Sequence, residues 1–340
     1  MKIKNKVKIL IYTPLFYPSV GGLEILIEQL ANNFFKKGNE VILITKVQKS
    51  IEKKFNFKVF YSPSIFKLVK LYLWADVFFM PNISLKCCWL FFINPFKKWV
   101  ISHNSRYYDP EIKNYLQSTI KQLFLLKAKN ISVSKDIAKS LWVKSTVIYN
   151  CYNDSIFYNQ NLNREFTFLF VGRLVSSKGC IELINSFKKL LFIDKTITLA
   201  IVGTGPEEVL ILNEINKLEL NNSISFFGKL SQDEVAKIMN KSKCLVVPSI
   251  GSEAFGIVVL EGFACGCNVV TSDSTGLREA NAGFGSIYSI NSKNGLDDAL
   301  FEYLHSNLCS DNNLSKLNNY LSLHTVDKVA ESYLKIIYFE

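Results

Sequence analysis

Short apolar runs of strand length alternate with amphipathic segments of helix length from one end of this 340-residue chain to the other. Several of the runs are apolar at consecutive positions rather than at every second position. That pattern is typical of strands in a parallel sheet that helices cover on both faces. Because the alternation runs in two successive series, it predicts an α/β protein built from two doubly wound, Rossmann-like domains.

The polar segment 153–165 separates the two series and indicates the linker between the domains. We therefore expect an N-terminal domain over residues 1–155, a C-terminal domain over residues 156–325 and a last helix over residues 326–340. The predicted strands are 7–13, 40–45, 57–62, 76–81, 98–103 and 130–134 in the first series and 167–172, 197–203, 224–228, 243–249 and 268–272 in the second, and the clearest helices are 22–37 and 112–126.

Ligands of doubly wound domains bind beyond the carboxyl ends of the strands, so two such domains predict a site in the cleft between them. No G-x-G-x-x-G motif opens the first strand–helix unit, where the loop ends in Gly21-Gly22. The loop GTGPEE at 203–208 has two glycines and is more typical of a tight turn than of a phosphate cradle. A nicotinamide-dependent enzyme is therefore disfavoured.

The chain has a net charge of +11, and all of the excess positive charge lies in its first half. Residues 1–160 contain 24 basic and nine acidic side chains, a net charge of +15, whereas residues 161–340 contain 16 and 20, a net charge of −4. Nucleic acid, an anionic membrane or an acidic acceptor could explain such a domain. Nucleic acid is disfavoured because no recognisable binding module is present.

The cysteines and the apolar runs bear on the compartment. Several of the eight cysteines lie in apolar runs, as reduced core residues of a cytosolic protein do. Neither a signal peptide nor a run long enough to span a bilayer is visible. We expect a cytoplasmic protein.

Two glutamates eight residues apart, Glu253 and Glu261, flank a predicted helix start in the stretch SEAFGIVVLEGFACG. Backbone N–H groups of Phe255, Gly256 and Ile257 would be unpaired there, and the helix dipole favours an anion. The carboxylates could then bind hydroxyls on either side of a bound phosphate, which is the layout of a nucleotide sugar. Taken alone, the spacing also fits a helix with a surface acid at each end.

Two cations, Arg173 and Lys178, lie in the loop VGRLVSSKG after the first strand of the second series. Arginine offers a planar fork to phosphate oxygens and lysine adds a point charge, so the pair suits a diphosphate leaving group. A solvated surface couple is the alternative. Their place at the carboxyl end of a strand, in the same domain as the paired glutamates, favours the phosphate site.

These motifs together resemble those of retaining glycosyltransferase family 4, which has the GT-B fold. The resemblance rests on EAFGIVVLEGFACG, on GRLVSSKG, on the Gly21-Gly22 pair and, in eroded form, on NCYNDSIF at 150–157. It implies two Rossmann-like domains that face each other across a cleft, with the last helix returning to the first domain. The first domain would bind the acceptor and the second the nucleotide sugar.

The resemblance also implies a role for each matching residue. Glu253 would contact the donor sugar, and Glu261 would accept hydrogen bonds from the ribose. His103, at the end of a first-domain strand, would lie near the sugar, although a buried or capping histidine is the alternative. The diphosphate would be held by Arg173 and Lys178 and by the backbone N–H groups of Gly21, Gly22, Phe255, Gly256 and Ile257.

The implied reaction is glycosyl transfer from a UDP- or GDP-sugar with retention of configuration. No D-x-D motif occurs, and the two cations can take the electrostatic role of a metal, so we expect neither a metal nor a cofactor beyond the nucleotide sugar. The pathway implied is bacterial surface polysaccharide or glycolipid synthesis. A GT-B nucleotide-sugar epimerase and a non-catalytic scaffold subunit are the alternatives.

The basic half contains two segments that bear on the acceptor. Segment 87–99, CCWLFFINPFKKW, is dense in aromatic residues. Both segments are open to two interpretations, as ordinary helices covering the sheet or as an interface with an anionic inner membrane leaflet that carries a lipid-linked acceptor. The second of these segments is the predicted helix 112–126, whose apolar face comprises Ile112, Tyr115, Leu116, Thr119, Ile120, Leu123 and Leu126.

Overall fold

The computed structural model describes residues 6–18, 21–48, 53–107, 115–305 and 314–339. Within them the chain forms two compact units, each with its own parallel sheet between helices. These sheets confirm the prediction of two doubly wound, Rossmann-like domains.

Unit 1 comprises residues 1–151 and 326–340 and contains a seven-stranded parallel sheet in the order β3-β2-β1-β4-β5-β6-β7. Its strand order reverses direction between β1 and β4, so their carboxyl ends frame a natural ligand crevice. Its elements are β1 (Lys8–Thr13), α1 (Gly22–Lys36), β2 (Glu40–Thr45), β3 (Lys58–Tyr61), α2 (Ile65–Trp74), β4 (Val77–Pro81), α3 (Leu85–Cys88), a 3-10 helix (Trp89–Phe92), β5 (Lys98–His103), α4 (Tyr115–Leu125), β6 (Lys129–Ser132), α5 (Lys135–Lys139) and β7 (Thr146–Val147).

Unit 2 comprises residues 152–325 and contains a six-stranded parallel sheet in the order β10-β9-β8-β11-β12-β13. Here the strand order reverses between β8 and β11. Its elements are β8 (Phe166–Val171), a 3-10 turn (Ser176–Lys178), α6 (Cys180–Leu191), β9 (Leu199–Val202), α7 (Glu208–Lys217), β10 (Ile224–Gly228), α8 (Gln232–Asn240), β11 (Ser242–Val247), α9 (Ile257–Ala264), β12 (Asn268–Ser272), α10 (Thr275–Asn281), β13 (Ser286–Tyr288), α11 (Gly295–His305) and α12 (Leu314–Leu323).

The last helix, α13 (Val326–Phe339), packs on α1 and belongs to unit 1. Tyr333 of α13 lies against Phe79 of β4, with ring centroids 5.8 Å apart. Lys37 pairs with Asp327 at 2.7 Å and with Glu331 at 3.1 Å. This packing confirms that the C-terminal helix returns to the first domain.

The predicted strands correspond closely to β1–β6 and β8–β12. Two edge strands were missed, β7 and β13, which have two and three residues. Segments that short carry no periodic signal, since a strand pattern needs about four residues or more.

Three leucines in or directly after helix α4 face outward, although Leu125 at its end is buried. Leu116, Leu123 and Leu126, from the predicted apolar face, are 73%, 55% and 66% exposed, whereas Ser118 and Gln122 are buried. The interpretation of this face as a sheet-covering surface is therefore wrong for these three leucines. Residues 112–114 and the side chain of Tyr115 lie outside the described residues.

Candidate functional site

Two loops meet at the carboxyl ends of β8 and β11, where the strand order of unit 2 reverses. The carbonyl of Ser177 accepts hydrogen bonds from the N–H groups of Ile250 and Gly251, each at 3.0 Å. A Cβ at Gly179, whose φ is +70°, would lie 2.1 Å from the carbonyl oxygen of Pro248. Only glycine permits this approach, so the loops are held together by backbone contacts.

Lys178 and Glu253 form an ion pair between these loops. The Lys178 ammonium and the Ser249 hydroxyl, the latter at 2.8 Å, both donate to Oε1 of Glu253. The backbone N–H of Glu253 donates to the Ser274 hydroxyl at 3.2 Å. Oε2 of Glu253 accepts no hydrogen bond from the described residues, and therefore one carboxylate oxygen is held in place while the other is available.

The N-terminus of α9 lies directly after this pair. Its N-cap, Gly256, has a φ of +94°, and a Cβ there would lie 2.5 Å from Cδ2 of Leu277. Among the described residues, none accepts a hydrogen bond from the N–H of Gly256, Ile257 or Val258. These N–H groups, with the positive end of the helix dipole, form a binding position for an anion.

Glu261 lies in α9, one turn after its first residue. Residues four apart share a helix face, so Glu261 lies on the same face of α9 as Ile257, one turn closer to the C-terminus. Burial raises the pKa of the Glu261 carboxyl to about 7, and no described residue donates a hydrogen bond to it. A partly desolvated carboxylate without a donor is costly to the fold, as expected for a group that binds a ligand's hydroxyls.

Arg173 is exposed in the loop that carries Lys178, and its side chain makes no ion pair or hydrogen bond with the described residues. Its loop is rigid at the base, because the N–H of Leu174 donates to the carbonyl of Thr204 at 3.0 Å. A Cβ at Gly205 would lie 2.2 Å from the carbonyl oxygen of Leu174. The glycines of the GTGPEE loop thus serve close packing of two loops.

In unit 1, His103 ends β5 and is fully buried. Nδ1 lies 2.7 Å from the Tyr107 hydroxyl and Nε2 lies 3.0 Å from Oδ1 of Asn130. The Tyr107 hydroxyl accepts from the N–H of Ile83 at 3.2 Å, so its proton goes to Nδ1 and the Nε2 proton goes to Asn130. Burial lowers the pKa of His103 to about 4. Both ring nitrogens of His103 thus form hydrogen bonds within unit 1. The contact between His103 and the donor sugar stays a prediction.

The glycine pair of unit 1 begins α1. Gly21 is the N-cap, in an extended conformation with φ of −150°, and Gly22 is the first helical residue. A Cβ at Gly22 would meet no atom within 4 Å. Packing alone therefore does not require a glycine at position 22. The contact of Gly22 with the diphosphate stays a prediction.

Three residues near the site were missed from the sequence: Ser249, Ser274 and His324. Ser249 and Ser274 follow β11 and β12, so their places after neighbouring parallel strands could have indicated them. His324 stacks on Phe255, with ring centroids 5.8 Å apart, and supports the loop before α9. No local pattern predicts that contact.

Comparisons with known proteins bear on the family and the fold of the chain. Residues 153–320 match the family Glycosyl transferases group 1. An uncharacterized glycosyltransferase of Methanocaldococcus jannaschii is 33% identical over 204 residues, 56% of this chain and 55% of that protein. The O-antigen chain mannosyltransferase RfbU of Salmonella typhimurium is 26% identical over 220 residues, 64% of this chain and 60% of that protein.

The matches thus span little more than half the length of these two relatives. Among solved structures, Anabaena Alr3699/HepE in complex with UDP and glucose superposes with a TM-score of 0.80 at 17% identity, over 98% of this chain and 100% of that chain. At that identity the likeness shows the fold, which is GT-B.

Proposed function

Since residues 153–320 belong to the glycosyl transferases group 1, we propose that this chain transfers a sugar from a UDP- or GDP-sugar to an acceptor hydroxyl. The observation that carries the proposal is the Glu261 carboxyl, which is desolvated, receives no hydrogen bond from the described residues and lies one turn into the helix whose first N–H groups are free. The hydroxyl groups of a ribose would supply the hydrogen-bond donors that this carboxylate lacks. A phosphate would accept hydrogen bonds from the free N–H groups at the N-terminus of α9.

The remaining residues fit the other parts of the donor. We assign the diphosphate to the N–H groups of Gly256 and Ile257, with positive charge supplied by Lys178, which pairs with Glu253 shortly before α9, and by Arg173 of the same loop as Lys178. Oε2 of Glu253 can accept a hydrogen bond from a hydroxyl of the sugar. Because Lys178 and Ser249 fix the other oxygen, this acceptor is oriented before the donor binds.

In the proposed reaction, the bond between the anomeric carbon and the diphosphate oxygen breaks, and the acceptor oxygen bonds to the anomeric carbon on the same face. The acceptor proton passes to the departing diphosphate. Lys178 and Arg173 stabilise the negative charge that grows on the leaving group. We expect the two cations to suffice for this role, so that a chelator leaves transfer unchanged.

For the acceptor, we propose a glycan or lipid-linked glycan of bacterial surface polysaccharide or glycolipid synthesis, met at an anionic membrane surface. The name of the Salmonella relative and the basic unit 1 support this pathway. Among the described residues no helix is both long and apolar enough to cross a membrane.

The test is a thermal-shift screen of nucleoside diphosphates and their sugars, followed by transfer assays with the stabilising donor. We expect Glu253→Ala and Lys178→Ala to reduce transfer at least tenfold, and the ¹H NMR spectrum of the product to show the anomeric configuration of the donor. Unchanged transfer by both variants would refute the site assignment, and an inverted product would refute the mechanism. Turnover of the donor to another nucleotide sugar would indicate an epimerase.

A further inference from the structure

A cavity of about 330 Å³ lies in unit 1, at the point where the strand order reverses between β1 and β4. Its walls come from the loop after β1, the start of α1, the loop after β4, α3 and one side of α4. Its charged side chains are Glu24, Lys86 and Lys121. The donor residues proposed above lie in unit 2, and Gly21 and Gly22 at the start of α1 are not among the residues that line the cavity, so this cavity needs its own explanation.

The two lysines of the cavity have no acidic partner. Among the described residues, neither Lys86 nor Lys121 forms an ion pair, and the Lys121 ammonium lies over the Tyr107 ring, 5.4 Å from its centroid. Lys86 and Lys121 approach the cavity from different elements, α3 and α4. Two cations that converge on a crevice favour an anionic group such as a phosphate.

Beyond the lysines, α4 and the 3-10 helix that follows α3 form an apolar seam, which we define as Phe91, Phe92 and Phe124. Phe124 lies one turn after Lys121 and packs on Phe91 and Phe92, with ring centroids 6.1 and 6.3 Å apart. Phe92 nevertheless exposes 76% of its surface. An apolar chain that leaves the cavity past the lysines would meet this seam within about 5 Å, the rise of one helical turn.

The surface around the seam differs from the opposite side of unit 1. The described residues 64–107 and 115–144 contain 12 basic and two acidic side chains, whereas residues 22–36 and 326–339, which include α1 and α13, together contain three basic and four acidic ones. The exposed leucines of α4 and Phe96, which is 95% exposed, lie on the basic side. Positive charge and exposed apolar residues thus coincide on one helix layer.

We propose that this cavity binds the acceptor, and that the acceptor is an anionic amphiphile. Its phosphate lies between Lys86 and Lys121, its apolar chain lies along the seam, and one of its hydroxyls donates to Glu24 at the start of α1. This assignment rests on the proposed glycosyl transfer and specifies the class of acceptor: a lipid carried on a phosphate rather than a free, neutral sugar.

The test measures binding of three probes by calorimetry, independently of transfer. The probes are dodecyl phosphate below its micelle concentration, dodecyl maltoside, which has the same chain on a neutral head, and inorganic phosphate, which has no chain. We expect dodecyl phosphate to bind at least tenfold more tightly than either of the others. Equal binding of dodecyl maltoside, or of inorganic phosphate, would overturn the assignment.

Variants locate the site. Lys86→Gln and Lys121→Gln should each weaken dodecyl phosphate binding about fivefold or more, and Phe92→Ser should weaken it while leaving inorganic phosphate unaffected. Lys129→Gln, an exposed lysine outside the cavity, is the matched control. Wild-type affinity in both cavity variants would overturn the proposal. Nucleoside diphosphate binding, measured on the same samples, reports separately on the donor site and on folding.

Discussion

Replacing Glu261 by glutamine should stabilise the free protein and weaken its binding of nucleotides. Burial raises the pKa of this carboxyl from 4.5 to about 7, so the ionised form costs the folded state up to about 3 kcal/mol relative to the neutral form. Since the side chain is only half-buried and solvent screens part of the charge, we expect a gain of about 1–3 kcal/mol for the variant at pH 8.

The sign of the pH dependence is fixed by the direction of the shift. Between pH 4.5 and 7 the folded state binds more protons than the unfolded state, so the penalty grows as pH rises through this window and is complete above it. Below pH 4.5 both states are protonated and the penalty vanishes. The stability gain of Glu261→Gln should therefore be largest at pH 8 and mostly absent at pH 5.

The assay is urea denaturation followed by far-ultraviolet circular dichroism at pH 5 and pH 8. Glu302→Gln, an exposed glutamate of α11, is the matched control and should show no gain at either pH. Nucleoside diphosphate affinity of Glu261→Gln should fall about tenfold or more, because hydrogen bonds to a charged acceptor are lost. A variant no more stable than wild type at pH 8, or equally stabilised at both pH values, would refute the reasoning.

Three further predictions concern other parts of the chain. Gly256→Ala should destabilise by about 2 kcal/mol or more and lower nucleotide affinity in a thermal-shift titration, whereas Gly283→Ala, also at positive φ but with no atom near its Cβ, should cost less and leave affinity unchanged. Burial lowers the pKa of His103 to about 4, so this side chain binds fewer protons in the folded state than in the unfolded state. Lowering the pH from 7 to 5 should therefore destabilise unit 1 by about 2 kcal/mol, measured by urea denaturation followed by tryptophan fluorescence. A rise in stability over this pH range would contradict the prediction. Co-sedimentation with anionic liposomes should weaken with salt and with Phe96→Ser, but not with Phe35→Ser on the opposite helix layer; equal binding to neutral vesicles would contradict it.

The fold was largely predictable because buried parallel strands are apolar at consecutive positions, a local signal. Periodicity cannot say which face of a helix is covered, however. On α4 the buried side holds Ser118, whose hydroxyl donates to the carbonyl of Tyr107 at 2.6 Å, and Gln122, which accepts from the N–H of Trp142 at 3.2 Å. Ser118 and Gln122 are therefore buried with hydrogen bonds to residues outside the helix, beside the buried Leu125, while Leu116 and Leu123 stay exposed.

The residues of the candidate site were predictable to a similar extent. The spacing of Glu253 and Glu261, and the cations one strand away, predicted that these residues lie at one edge of a sheet, where the structure has them, and their roles stay a prediction. The ion pairing, hydrogen bonding and burial of these side chains were not predictable from the sequence. The Lys178–Glu253 ion pair, the Ser249 hydrogen bond and the desolvation of Glu261 each depend on residues that are distant in the chain.

The central claim is that unit 2 binds the diphosphate of a nucleotide sugar between the β8–α6 loop and the start of α9. Its most direct test is calorimetric titration of UDP and GDP into wild type, Arg173→Gln, Lys178→Gln and the exposed control Lys195→Gln. We predict one binding site per chain for at least one nucleotide, an affinity at least tenfold lower in the first two variants, and no change in the control. Equal affinity in all four proteins, or binding of neither nucleotide to wild type, would contradict it.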